Sequence, residues 1–323
     1  MNTLPTSAVP SSTVVARDGA DAASGRIWRF LDVVRDGTWR LLVDGAYFYR
    51  LRSYQSLMPA QRAMFYTLMG YALTGPLHLG LCVMNAVLVG LLMMFFGAYD
   101  NYWDWKLLGE RNGTREVMDR RHLSPRATMV LVCAPWMLIL PLMRQAVLWN
   151  LPRASILSWW GVAILGLSYM TPGLRLKGRA GSFFVAPIWA CLLFFQAACL
   201  QTITRWPLLG VWCTLLFLLQ CQAEALHHLD DAMHRQPATP EAIVPRLHQL
   251  RQWPLRSLAV SLLAALMHPV FLNSVVWSVL RWWSVSRLTL GEVSRVRRRV
   301  WHPVWSLYEF GIYAVVGLWH PLV

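Results

Sequence analysis

Eight runs of mostly apolar residues follow one another along the chain, at 58–74, 79–99, 127–143, 154–172, 182–202, 206–225, 255–280 and 301–322. A helix that crosses the hydrocarbon core of a bilayer takes roughly 17 to 25 such residues, so each run is a candidate span. In that medium every backbone N–H and C=O must be paired within the protein. A series of such runs therefore restricts the chain to an all-α, polytopic transmembrane helix bundle. The first and last runs are interrupted, by Gln61 and Arg62 in one and by His302, Glu309 and His320 in the other, and fit interfacial helices equally well.

Composition agrees with the pattern of runs. With 56% hydrophobic and only 14% charged residues, the chain is too charge-poor for an ordinary soluble protein, in which about 25% is usual. Its eighteen Trp suit the boundary between hydrocarbon and water, where an indole ring buries its body and wets its N–H. The net charge of +14 is not a nucleic-acid signature, because the cations lie in short loops between apolar runs and no nucleic-acid motif accompanies them. All six Cys fall inside apolar runs without paired spacing, which reads as buried free thiols.

Three regions divide the chain. Residues 1–25 are rich in Ser, Thr, Ala, Pro and Asp and read as a disordered tail without a signal-peptide core. Residues 26–56 alternate Arg with aromatic and aliphatic residues, as in an amphipathic interfacial segment; a soluble capping helix fits as well. Residues 57–323 form the membrane domain. If spans alternate in direction, the polar loops at 100–126, 173–181 and 226–254 share one face, and their excess of Arg and Lys makes that face cytoplasmic. The Arg-rich stretch 281–300 resists this alternation, unless Pro269 divides 255–280 into two shorter helices or a re-entrant hairpin.

Chemistry concentrates where polar loops meet spans. In Tyr99-Asp100-Asn101-Tyr102-Trp103-Asp104-Trp105-Lys106, the carboxylates of Asp100 and Asp104 lie one helical turn apart on one face, with Asn101 close by. Two carboxylates and an amide oxygen suit Mg²⁺, which commonly takes one or two carboxylates and completes its shell with substrate phosphates and water. A solvated helix end beside Arg and Lys is the plainer reading. In Glu224-Ala225-Leu226-His227-His228-Leu229-Asp230-Asp231, Glu224, one of His227 and His228, and Asp231 share a face, and ionisable groups at that depth are expensive without a partner, an ion or water. Zinc would take these ligand types, but no third strong ligand follows at its characteristic spacing. Between the two acidic clusters, Tyr169-Met170-Thr171-Pro172-Gly173-Leu174-Arg175-Leu176-Lys177-Gly178-Arg179 sets three cations behind a Pro-Gly turn. It fits either a phosphate grip or a topological anchor.

These three elements, in this order, resemble the motifs of the UbiA superfamily of intramembrane prenyltransferases over about residues 60 to 255, as in a divergent member. Arg121-His122-Leu123-Ser124-Pro125-Arg126 is similar to the segment that ends the family's first loop. The resemblance implies about eight or nine helices around a central cavity whose cytoplasmic end holds Mg²⁺-bound diphosphate. It implies Asp100, Asn101 and Asp104 as ligands of a first magnesium. Glu224 and Asp231 would hold a second, with Asp230 competing. Lys106, Arg175, Lys177 and Arg179 would grip the diphosphate of an isoprenyl substrate, and Tyr169 would sit beside it. A hydrophobic, aromatic acceptor would receive the prenyl group, and membrane lipid would be a further partner. Three departures stand out: the order Asp100-Asn101 is the reverse of the family's, Leu108 occupies a position where the family has Asp, and the second cluster offers Glu224, His227 or His228, and Asp231 where the family usually has three Asp. A membrane terpene cyclase of the same type, and a non-catalytic scaffold or lipid carrier that keeps the fold, are the competing readings.

Overall fold

The computed structural model describes residues 53–73, 79–109, 113–172, 182–200, 202–234, 240–293 and 306–319. The tail and the greater part of the interfacial segment read from the sequence lie outside them. Among the described residues the regular structure is entirely helical: α1 (Ser53–Ala72), α2 (Leu79–Leu108), α3 (Gly113–Arg121), α4 (Pro125–Cys133), α5 (Trp136–Leu148), α6 (Arg153–Met170), α7 (Ser182–Ala198), α8 (Trp206–His234), α9 (Pro240–Met267), α10 (Leu272–Ser286) and α11 (Ser306–Trp319). Helices α4 and α5 succeed each other as one interrupted span. Leu79–Leu107, Pro125–Leu148 and Trp206–Asp230 are long and apolar enough to cross a membrane by length and composition, and Pro187–Ala198 is a shorter apolar helix.

Local chemistry sets several of these boundaries. Helix α2 runs on through its carboxylates and stops at Gly109, whose φ of +68° is the left-handed cap that glycine adopts without steric penalty. Its thirty residues make a rod about 45 Å long. Helix α3 ends at His122, also left-handed at φ 52°. Ser124 then caps α4, accepting the backbone N–H of Ala127 at 3.2 Å, and Pro125 occupies the first turn, where its missing N–H costs nothing.

The apolar run at 255–280 is divided in the structure. Pro269 opens a 3-10 turn over Pro269–Phe271, and the His268 ring caps it by accepting the N–H of Val270 at 3.2 Å. On either side α9 and α10 pack antiparallel, with Ser261 opposite Ser278 (3.4 Å) and Arg281 opposite Ser257 (3.0 Å). The extra reversal brings the chain beyond α10 back to the end of the bundle at which α2, α6 and α8 terminate. Residues 294–300, with most of the arginines of that stretch, lie outside the described residues. Arg281 itself is a buried member of α10, not a loop cation.

Pairings elsewhere fix the remaining directions. Ser155 meets Gln196 and Trp189 donates to the carbonyl of Val162 at 2.8 Å, so α6 and α7 are antiparallel. Phe96 lies against Gly166 and Tyr99 against Thr171, so α2 and α6 run parallel. One buried cluster among the described residues joins α1, α7, α8, α9, the 3-10 turn and α11. Tyr66 stands edge-on to Phe194 and Phe310, and Trp212 to Phe271 and Tyr313. Lipid tails are as apolar as these rings, so close packing, not expulsion from water, holds such contacts together. Gly70 illustrates it: a Cβ there would come within 2.8 Å of the Ala198 Cα, so α1 and α7 touch backbone to backbone.

Of the six free cysteines, Cys82, Cys199 and Cys221 are buried and Cys191 and Cys213 half-buried, as the apolar setting suggests, whereas Cys133 at the end of α4 is exposed.

Candidate functional site

Because α2 remains helical to Leu108, the four-residue spacing of Asp100 and Asp104 does place both on one face. Asp104 is buried at 6% exposure, while Asp100 and Asn101 are half-buried, and all three have interaction partners. Carboxylates near the C-terminal end of a helix oppose its macrodipole, which favours cations there. A positive ion would relieve both that opposition and the burial.

Around them is an aromatic layer. Phe95, Tyr99 and Trp103 follow one another up α2 with ring centroids 5.3 and 6.1 Å apart, and Trp136 of α5 meets Phe95 at 5.4 Å. Lys106 is exposed, its Nζ 4.9 Å above the Trp103 ring and 5.8 Å above that of Tyr102. Its ammonium is thus held on aromatic faces next to the carboxylate turn.

Among the described residues, a side-chain contact links this turn of α2 to the end of α6. Tyr99 Oη and Thr171 Oγ1 are 3.2 Å apart, either one donating. This contact joins the residue before Asp100 to the residue that caps α6. Tyr169 is half-buried in the last turn of the same helix. The turn beyond it, with Arg175, Lys177 and Arg179, lies outside the described residues.

The second acidic cluster occupies the last turns of α8. Glu224, His227 and His228 are half-buried, with the two imidazoles 5.9 Å apart, and Asp230 is buried at 5% exposure. The side chain of Asp231 is not among the described ones. This end of α8 rests on α9 and α10 through a cluster that includes Leu226, Leu229, Leu250, Trp253 and Val285. Among the described residues, no three His, Cys, Asp or Glu side chains converge as a ready-made metal cage.

Sequence reasoning missed two buried polar features. Gln222, two residues before Glu224, is fully buried with neither amide atom hydrogen-bonded. Asn85, Ser155 and Gln196 interlock α2, α6 and α7, Gln196 Nε2 donating to Asn85 Oδ1 and, at 3.1 Å, to Ser155 Oγ. The available signals were Asn85 and Gln196 standing alone in apolar runs, and Gln220 and Gln222 leading up to Glu224.

No family model matches the chain, and no curated protein matches it. Solved structures do. A UbiA homolog from Archaeoglobus fulgidus aligns with a TM-score of 0.61 at 14% identity, over 84% of this chain and 100% of that one. A second structure of a UbiA homolog from the same organism, bound to GPP and Mg²⁺, aligns with a TM-score of 0.61 at 12% identity, over 87% and 100%. The protein therefore has the helical membrane fold of these UbiA homologs, and it is an integral membrane protein.

Proposed function

We propose that the protein is a divergent UbiA-type prenyltransferase that ionises an isoprenyl diphosphate with Mg²⁺ and transfers the prenyl group to a hydrophobic, aromatic acceptor. The observation that carries the reading is the Tyr99–Thr171 contact, which ties the Asp100–Asp104 turn to the root of the basic turn within a UbiA-type fold. A homolog of that fold binds GPP and Mg²⁺.

The donor set suits the metal. Mg²⁺ prefers hard oxygens, keeps several waters and is commonly held by one or two carboxylates with substrate phosphates, so a two-carboxylate helix face is sufficient and a closed protein cage is not required. Asp100, Asn101 and Asp104 would hold one ion, and Glu224 with Asp231 or Asp230 another. When bound, the metal supplies positive charge that stabilises a departing diphosphate. Arg175, Lys177 and Arg179 take the diphosphate oxygens through charge-assisted hydrogen bonds, with Tyr169 beside them. As the C–O bond breaks, its electron pair leaves with the diphosphate and an allylic cation remains. The faces of Tyr99, Trp103 and neighbouring rings stabilise that cation, and the apolar surroundings keep water from capturing it.

Purified protein in detergent, incubated with Mg²⁺ and a series of prenyl diphosphates, should release diphosphate, and should form a prenylated product only when an aromatic acceptor is added. Diphosphate release with a cyclised hydrocarbon and no acceptor would transfer the assignment to a cyclase. No release from any chain length would defeat both enzymes and leave a carrier.

A further inference from the structure

Arg281 and Glu309 are the most deeply buried ion pair among the described residues, with side chains 1% and 2% exposed. They lie on separate helices: Arg281 in α10, Glu309 in the first turn of α11. Arg281 Nη1 pairs with Glu309 Oε2, while its Nη2 donates to Ser257 of α9 and Ser278 of α10, both at 3.0 Å. The second oxygen of Glu309 accepts from Ser274 at 2.7 Å, its carbonyl accepts from Asn273 at 3.1 Å, and Ser274 in turn meets the Tyr313 hydroxyl. Three helices thus share one polar knot.

Such a knot is a poor source of net stability, because desolvating two charges costs about what their attraction returns. Its asymmetry is what matters. Either charge left alone in a protein interior has no water to turn to, whereas removing both leaves only hydroxyls and an amide that can bond one another. Glu309 also has a definite address. It sits at the N-terminal end of its helix, where the macrodipole favours an anion, and one residue later Phe310 packs edge-on to Tyr66 of α1. Gly311 then faces the Phe65 ring, 3.7 Å from where its Cβ would be. Helix α11 is therefore seated on α10 by charge and on α1 by packing.

We infer that the Arg281–Glu309 pair is a two-part key that specifies how α11 seats between α10 and α1. The inference is independent of the proposed chemistry, since neither residue belongs to the acidic clusters or the basic turn. In α11 the pairing of Glu309 with Arg281 admits one azimuth and one register. A helix rotated by one residue, 100°, would leave both charges unpaired in the protein interior. Ser257 and Ser278 take Arg281 Nη2 and Ser274 serves the second oxygen of Glu309, while Arg281 Nε stays buried without a hydrogen-bond partner.

The test uses the full-length chain with its native cysteines replaced and with Phe65→Cys and Gly311→Cys introduced, so that a short bifunctional thiol reagent reports α11 seated against α1. Arg281→Met and Glu309→Met, singly and together, are compared for cross-link yield and unfolding temperature in detergent. Each single change should cut the yield several-fold and lower the unfolding temperature. The double change should restore most of the unfolding temperature, because no charge is left unpaired, but not the full cross-link yield, because without the key α11 can seat in other registers. Glu309→Gln, nearly isosteric, should behave like Glu309→Met, which separates lost charge from lost shape. Where a single variant yields no folded protein, recovery by the double variant is the same positive result. Wild-type cross-linking in both single variants or in the double variant, or a double variant whose unfolding temperature falls by the two losses added together, would overturn the inference.

Discussion

Adding one methyl group at Gly166 should disturb the candidate site from the opposite side of a helix interface. A Cβ built there falls 2.6 Å from Phe96 Cζ, 2.8 Å from Cε1 and 3.0 Å from Cε2. To regain an ordinary contact at 3.4 Å, the ring must retreat by about 0.8 Å. It has little room to do so: Phe96 is 1% exposed and is flanked by Phe95 and Trp189, each with ring centroids 5.4 Å away. Overpacking of this kind costs about 1–3 kcal/mol. Phe96 also lies one turn before Asp100 on α2, so displacement of that helix relative to α6 works against the Tyr99–Thr171 contact. Gly166→Ala should therefore lower the unfolding temperature in detergent and weaken Mg²⁺-dependent binding of a prenyl diphosphate. Phe96→Leu, which shortens the obstructing ring, should recover part of the stability in the double variant. An unfolding temperature unchanged by Gly166→Ala, or a double variant no better than the single, would refute the reasoning.

Other expectations address the chemistry and the packing separately. Asp104→Ala should reduce prenyl-diphosphate turnover by ~10²-fold or more while the protein stays folded, as loss of a transition-state electrostatic contact typically does; wild-type turnover at saturating Mg²⁺ would remove Asp104 from the site. Single replacement of Arg175, Lys177 or Arg179 by Gln should weaken diphosphate binding without changing membrane orientation, measured by titration and by cysteine accessibility, and wild-type affinity in all three would make the turn an anchor only. Gly70→Val should destabilise more than Gly166→Ala, because the obstructing atoms at Gly70 are the Ala198 backbone and cannot rotate aside; thermal unfolding of the two variants side by side settles the order.

The parts of this architecture that could be read in the sequence are those in which a helix repeats one signal over many turns. The apolar run of α2 and the four-residue spacing of Asp100 and Asp104 belong to a single element, so nothing distant was needed to see that they share a face. The Thr171-Pro172 stop of α6 was legible for the same reason, since the residue before proline leaves the helical region. By contrast, hydropathy sees residues 255–280 as one run, because the turn that divides them, His268–Phe271, is itself largely apolar. Pro269 hinted at a break, but whether the two pieces fold into a hairpin depends on Ser257 finding Arg281 across the turn. Arg281 was similarly opaque. In one dimension it heads a cluster of arginines, and only its pairing with Glu309, 28 residues further on, shows that it faces inward. The Tyr99–Thr171 contact spans 72 residues and depends on two helices running parallel, information that no local pattern holds.

That parallel run of α2 and α6 has a consequence for how such a chain can change over evolutionary time. Phe96 is matched to Gly166 and Tyr99 to Thr171, so two stretches far apart in the gene are locked in step. Deleting or inserting one codon between Gly166 and Thr171 would turn everything beyond it by 100° and shift it by about 1.5 Å along the axis, swinging Thr171 away from Tyr99 and carrying the basic turn with it. Helix α2, by contrast, ends at the left-handed Gly109, beyond the residues that meet α6. Length variation among natural relatives should collect in the segment that follows Gly109 and be absent from 166–171, where a single frame-preserving indel would separate the basic turn from the carboxylates it is proposed to serve.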